Sequence, residues 1–217
     1  MTYRLAIFDF DGTLADSFPW FLRVVNEAAR VHRFRRIEPG DAEPLRGLDA
    51  RRIIEHVGLP LWKLPLVARW MRRRMAADIG SIALFPGVDE MLRQLSEDGV
   101  RIAIVSSNSP ANVRRVLGPE NAARVAFYGC GVSLFGKRRK LRKVLAGSGV
   151  AAAEALCIGD EIRDLHAARA EGIAFGAVAW GYTTAAGLAA HHPEMLFTRV
   201  DEIAGRLGLP RDESPAV

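Results

Sequence analysis

Arg4-Leu-Ala-Ile-Phe8, followed at once by Asp9-Phe-Asp11-Gly-Thr13, decides how the chain is read. A short continuous apolar run suits a strand buried on both faces, whereas two acids and a glycine would be ruinous inside a sheet. A strand therefore ends at Phe8 and a loop begins at Asp9. The pattern recurs downstream: Arg101-Ile-Ala-Ile-Val105 runs into Ser106-Ser107-Asn108, and Ala155 to Ile158 runs into Gly159-Asp160-Glu161. Val125 to Tyr128 and Ala174 to Ala179 read as further strands. Helical stretches fall between them, from after Gly87 to about Glu97, from Ala111 to Leu117, from Lys140 to Ala146 and from about Arg163 to Ala170. Strands alternating with helices predict an α/β fold, a Rossmann-like doubly wound parallel sheet covered on both faces.

Between the first two strands the period changes. Phe18, Phe21, Leu22, Val25 and Ala28 recur at helical spacing, and Ile53, Ile54, Val57 and the run from Leu66 to Met75 continue it. Pro39-Gly40, Gly47, Gly58-Leu-Pro60 and Pro65 cut this stretch into several short helices. The expectation is a small all-helical cap, residues 17–82, inserted after the first strand of a core made of 1–16 and 83–217. Pro210 to Val217 reads as a frayed tail.

With 217 residues, 49% hydrophobic and 25% charged, the composition is that of a globular domain. No apolar run approaches the ~18–20 residues of a membrane span, and the first strand is too short for a signal peptide, so no membrane partner and a cytoplasmic location are expected. Two cysteines, Cys130 and Cys157, cannot build a disulfide framework and are expected to be reduced. A net charge of +5 raises nucleic acid as a partner. Only four of the 30 basic residues are lysines, however, and the arginines are scattered, so the charge speaks to solubility and no nucleic-acid partner is expected.

Ligands of doubly wound sheets bind outside the carboxyl ends of the strands. Those ends deliver Asp9 and Asp11, then Ser106, Ser107 and Asn108, then Asp160, Glu161 and Asp164, while Lys137 lies in the loop before a helix. Five carboxylates facing one lysine would repel one another without a cation, and hard oxygen ligands suit Mg2+. The lysine and the hydroxyl are then free to hold an anion, and the combination points to phosphoryl transfer.

Asp9-Phe-Asp-Gly-Thr13-Leu, Ser106 after its strand, Lys137 in Ser133-Leu-Phe-Gly-Lys137 and Gly159-Asp160-Glu-Ile-Arg-Asp164 resemble, in order, the four motifs of the haloacid dehalogenase superfamily. The helical insertion resembles the branch of phosphoglycolate phosphatases and beta-phosphoglucomutase. The resemblance implies a phosphatase in which Asp9 is the nucleophile and forms an aspartyl-phosphate, and Asp11 is general acid and then base. It implies Mg2+ held by Asp9, the carbonyl of Asp11 and Asp160, with Glu161 or Asp164 reaching it through water. Ser106 and Lys137 would bind the phosphoryl oxygens. Thr13, Ser107, Asn108 and Arg46 are expected on the substrate side, Thr13 also fixing the loop.

An acid at Asp11 favours phosphate chemistry over carbon–halogen cleavage, and nothing around Lys63 marks a Schiff-base lysine. A phosphomutase and a non-catalytic phosphate-binding protein remain as alternatives. Within the cap, Arg46 is expected to touch a second polar group of the substrate, and at most one of Arg72, Arg73 and Arg74 can face the site because consecutive residues point around a helix. The five histidines and four tryptophans read as packing or surface residues. Oligomeric state is left open.

Overall fold

Six parallel strands form one sheet in the order β3-β2-β1-β4-β5-β6. They are β1 (Leu5–Phe8), β2 (Arg101–Ile104), β3 (Val125–Tyr128), β4 (Ala155–Gly159), β5 (Ala174–Val178) and β6 (Met195–Phe197). The structure is a computed structural model describing residues 3–48, 50–131 and 136–207. Ser133 to Phe135 of the lysine segment and the Pro210 to Val217 tail lie outside the described residues.

The strand alternation sorts side chains into two cores, one on each face of the sheet. Ala6, Phe8, Ile102, Ile104, Leu156 and Ile158 point to one face. There they meet α5 (Val88–Glu97) through Met91, Leu92 and Leu95, α6 (Pro110–Arg124) through Val113 and Leu117, and α10 (Asp201–Leu207) through Ile203, Ala204 and Leu207. Leu5, Ile7, Ala103, Ala155, Cys157 and Phe175 point to the other. They meet α7 (Lys137–Ser148), α8 (Ile162–Arg169) and α9 (Ala185–Ala189) through Leu141, Val144, Leu165, Ala168 and Leu188. Burial on both faces is why these strands read as unbroken apolar runs.

Among the described residues of 17–82 lie four α-helices: α1 (Phe18–His32), α2 (Ala42–Leu45), α3 (Ala50–His56) and α4 (Leu64–Ala77). Among the described residues of 17–82 no strand occurs. Val25, Ile37, Leu45, Ile54, Val57 and Leu59, from these helices and the segments joining them, form a third cluster. The chain leaves and re-enters the sheet region side by side, with Asp16 N donating to Ala83 O and Phe85 N to Leu14 O, both at 2.9 Å. Lys63 donates to the His32 carbonyl at 2.9 Å, a contact that ties α4's start to α1's end.

Three features depart from the sequence expectation. β6, α9 and α10 were not anticipated, because three, five and seven residues carry too little periodicity to register. Helix α7 starts at Lys137 rather than Lys140, and α6 continues past Leu117 to Arg124. The continuation is broken at Gly118, whose φ of 74° interrupts the helix, and Pro119 starts the next turn, where its missing N–H costs nothing.

No helix among the described residues is long and apolar enough to cross a membrane. Both cysteines are free and buried, and burial pushes the Cys130 thiol up to about 11 and raises Cys157 as well. The folded protein should therefore leave a disulfide reagent unreacted at pH 8, where unfolding in denaturant releases both thiols; rapid reaction of either one in the native state would contradict the burial.

Candidate active site

The carboxyl edge of the sheet gathers the charged residues. Asp9 N donates to Ile158 O at 2.8 Å, so the β1–β4 ladder itself fixes the first carboxylate. The next turn is closed on one carbonyl: Thr13, Leu14 and Ala15 all donate to Phe10 O. Gly12 makes that turn possible, with φ at 78° and a hydrogen where a methyl would strike Asp160 Oδ2 and the Tyr182 ring. A Gly12→Ala variant should lose roughly 1–3 kcal/mol of stability, read as a lowered urea midpoint, because both strain and overpacking act there.

Lys137, at the first turn of α7, is buried and shared by two carboxylates, its Nζ 2.9 Å from Asp9 Oδ1 and 2.6 Å from Asp164 Oδ2. Burial alone would raise the Asp9 carboxyl, but Lys137 and then Arg163 outweigh it and hold Asp9 below the usual carboxylate range. Asp164 goes the other way, raised well above that range by its burial and by the charge on Asp9, against the pull of Lys137 and Arg163. The pair thus divides one lysine unequally, with Asp9 ionised. Asp11 is pushed up to about 7, first by burial and then by the charge on Asp9, against hydrogen bonds from Ser17 and Asn108. Asp160 is pushed up to about 8 by burial, then by Asp9 and Glu161.

The sequence reading set five carboxylates against one lysine, and Arg163 corrects that count. Its guanidinium grips Glu161 at 2.8 and 2.6 Å and lies 4.0 Å from Asp164 Oδ1. As the side chains stand, no three His, Cys, Asp or Glu groups among the described residues converge as a metal site. Glu161 is held by Arg163, Asp164 by Lys137, and Asp160 by Thr13 Oγ1 and Tyr182 N, both at 2.7 Å. The donor set still suits a hard divalent cation. It is all oxygen, Asp164 Oδ1 is buried without a hydrogen-bond donor, and the carboxyls of Asp9, Asp11, Asp160, Glu161 and Asp164 have only Lys137 and Arg163 as nearby cations among the described residues.

The uncharged residues divide by role. Ser106 is fully buried and its Oγ accepts from Asn108 N at 3.0 Å. Asn108 Nδ2 stands 3.3 Å from both oxygens of Asp11 and 2.8 Å from Met75 Sδ, and its Oδ1 accepts from Asn112 and Ser109. The amide thereby anchors Asp11. Ser107 lines the cavity beside it. Thr13, expected on the substrate side, is buried and spends its hydroxyl on Asp160, which places it behind the site. Arg46 does reach the cavity wall, but its guanidinium is occupied by Gly181 O at 2.8 Å, Tyr182 O at 3.1 Å and Glu43 Oε2 at 3.0 Å, over the Phe18 ring.

Tyr182 and Gly181 escaped the sequence reading. Tyr182 packs edge-on against Phe18 and Phe21, and its hydroxyl lies 3.0 Å from Ser17 Oγ. Any side chain at Gly181 would collide with that of Asp160. Both lie just past the carboxyl end of β5, where the strand-end rule already pointed, but a glycine and an aromatic carry no charge to draw the eye.

Known proteins share this architecture and much of this sequence. The chain is 33% identical over 191 residues to a phosphoglycolate phosphatase of Synechococcus elongatus, covering 88% of this chain and 90% of that protein. It is 30% identical over 187 residues to a phosphoglycolate phosphatase of Xanthomonas campestris, covering 82% and 84%. A haloacid dehalogenase-like family hydrolase from Streptococcus pneumoniae superposes with a TM-score of 0.76 at 21% identity, over 94% of this chain and 98% of that one, a likeness of fold. Residues 6–178, from β1 through the last residue of β5, match the model of the haloacid dehalogenase-like hydrolases, and with the six-stranded sheet and its acidic carboxyl edge this places the chain in that family.

Proposed function

We propose that the protein is a Mg2+-dependent phosphatase acting on a small phosphorylated metabolite through an aspartyl-phosphate on Asp9. The observation that carries this reading is the Asp9–Lys137 contact of 2.9 Å beside a second carboxylate, Asp11, anchored separately by Asn108. The phosphatase names of the relatives support it.

Asp9, kept ionised by Lys137, attacks phosphorus while the bond to the leaving oxygen breaks, and Asp11 donates the proton that the leaving oxygen needs. Water then attacks the aspartyl-phosphate with Asp11 as base, freeing phosphate and regenerating Asp9. Lys137 and Ser106 receive the charge that develops on the phosphoryl oxygens. Asp9, Asp160 and the Asp11 carbonyl would hold Mg2+, with Asp164 or Glu161 through water; the ion supplies charge neutralisation of the phosphoryl group when bound. Thr13 and Tyr182 orient Asp160. Residues 17–82 act as a cap that excludes water from the site, and the reading involves neither nucleic acid nor a membrane, in keeping with a cytoplasmic enzyme.

The test is phosphate release from a panel of phosphorylated metabolites and an aryl phosphate, with and without a chelator. Activity that survives complete removal of divalent cations would overturn the metal dependence. Asp11→Asn should lower turnover by about 10²–10⁴-fold. With an aryl phosphate, whose leaving group needs no proton, the variant should still release a stoichiometric burst of phenolate as Asp9 is phosphorylated. Loss of burst and turnover together would remove the acid–base assignment.

A further inference from the structure

A cavity of about 800 Å³ opens from Asp9 and Asp11 and extends into the helical insertion, and its walls do not match a small acidic leaving group. We infer that the substrate's leaving group is an apolar alcohol several carbons long, seated among α1, α4 and the apolar residues of the 34–59 segment that complete the wall. This inference rests on the phosphatase reading for which bond is cleaved, but on the cavity alone for what is bound.

Phe18, Phe21 and Val25 of α1 and Leu64, Ala68 and Met71 of α4 line the cavity. On α4 these fall at helical spacing and lead to Met75, which also lines the cavity and whose sulfur contacts the same Asn108 amide that anchors Asp11. From Met75 back to Leu64 the helix rises roughly 16 Å, so the apolar wall starts at the proposed general acid and runs outward far beyond the reach of a two-carbon group. Leu61 lines the cavity and is itself 60% exposed, which marks where it meets solvent.

The cations that could serve an acidic leaving group are mostly committed. Arg46 is spent on two carbonyls and Glu43, and Arg163 grips Glu161. Arg72 remains on the wall, one turn before Met75. Beyond the polar residues around Asp9 and Asp11, a carboxylate entering this chamber would exchange water mainly for carbon, with Arg46 and Arg72 the cations on the wall, whereas an alkyl or aryl group gains from each carbon buried.

The experiment measures kcat/KM for phosphate monoesters of straight-chain alcohols from ethyl to octyl, and for 2-phosphoglycolate. In parallel, calorimetry measures binding of n-alkylphosphonates, whose carbon–phosphorus bond the proposed chemistry leaves intact. Both series should improve roughly threefold to fourfold per methylene until the cavity is filled. Leu64→Trp should bring that plateau to a shorter chain and leave the ethyl ester unchanged. Phosphonates that tighten with length while no ester is hydrolysed would support the cavity assignment and defeat the phosphatase reading. Affinity independent of chain length overturns the inference, as does a preference for 2-phosphoglycolate that Arg72→Ala abolishes; in that case the phosphatase reading stands with an acidic leaving group read by Arg72.

Discussion

Asp9→Asn should release no measurable phosphate, a loss on the order of 10⁴-fold or more, and yet melt within a few degrees of the parent. The amide cannot attack phosphorus, which accounts for the activity. Folding is spared because Lys137 keeps a second partner, Asp164 Oδ2 at 2.6 Å, when Asp9 loses its charge. Asp164 is held above the carboxylate range partly by that same charge on Asp9, so removing it lets Asp164 ionise and compensate the buried lysine. Phosphate release together with a thermal melt checks both halves. Appreciable steady-state turnover would rule out Asp9 as the attacking group, and a collapse in melting temperature would show that Asp164 cannot take over the ion pair.

Lys137→Met reverses the logic. It leaves Asp9, buried and ionised, without its nearest cation, and breaking a buried pair from one side costs about 3–5 kcal/mol. Activity goes as well, because the same ammonium is proposed to meet the phosphoryl oxygens. Adding Asp164→Asn removes a carboxyl that burial and the charge on Asp9 already hold above the carboxylate range, so the double variant should be little less stable than Lys137→Met alone and equally inactive. Urea midpoints for the two single variants and the double variant give the coupling directly. Additive effects would mean that Lys137 and Asp164 do not share the interaction that their 2.6 Å separation implies.

These outcomes turn on contacts whose endpoints were visible in the sequence at different strengths. Asp9, Asp11 and Asp160 stood out because a carboxylate just after a buried strand has no packing reason to be there, and Asp164 because it falls in the first turn of the helix that follows. Ser106 and Asn108 stood out by the same rule. Thr13, by contrast, was placed on the substrate side because a hydroxyl after the acidic pair looks available, and only its 2.7 Å bond to Asp160 shows which way it turns. Arg46 was read as reaching for substrate, and its three hydrogen bonds across to the 181–182 segment and Glu43 are contacts between residues up to 136 positions apart. Arg163 sat inside the quoted motif and was passed over, since its sign opposed the carboxylate cluster being assembled.

The sequence by itself determined the alternation of strands and helices as far as β5, the parallel sheet, the helical stretch over 17–82 and the acidic strand ends, because each is written in local periodicity and in polar residues where a buried strand must stop. Tertiary structure alone decided how charge is shared and where space is left. Lys137 lies between Asp9 and Asp164, Tyr182 N holds Asp160, and the helices of the insertion leave an apolar cavity that opens at Asp9 and Asp11. Such features depend on distances between segments far apart in the chain, and electrostatic shifts and voids are properties of those distances rather than of any residue's type.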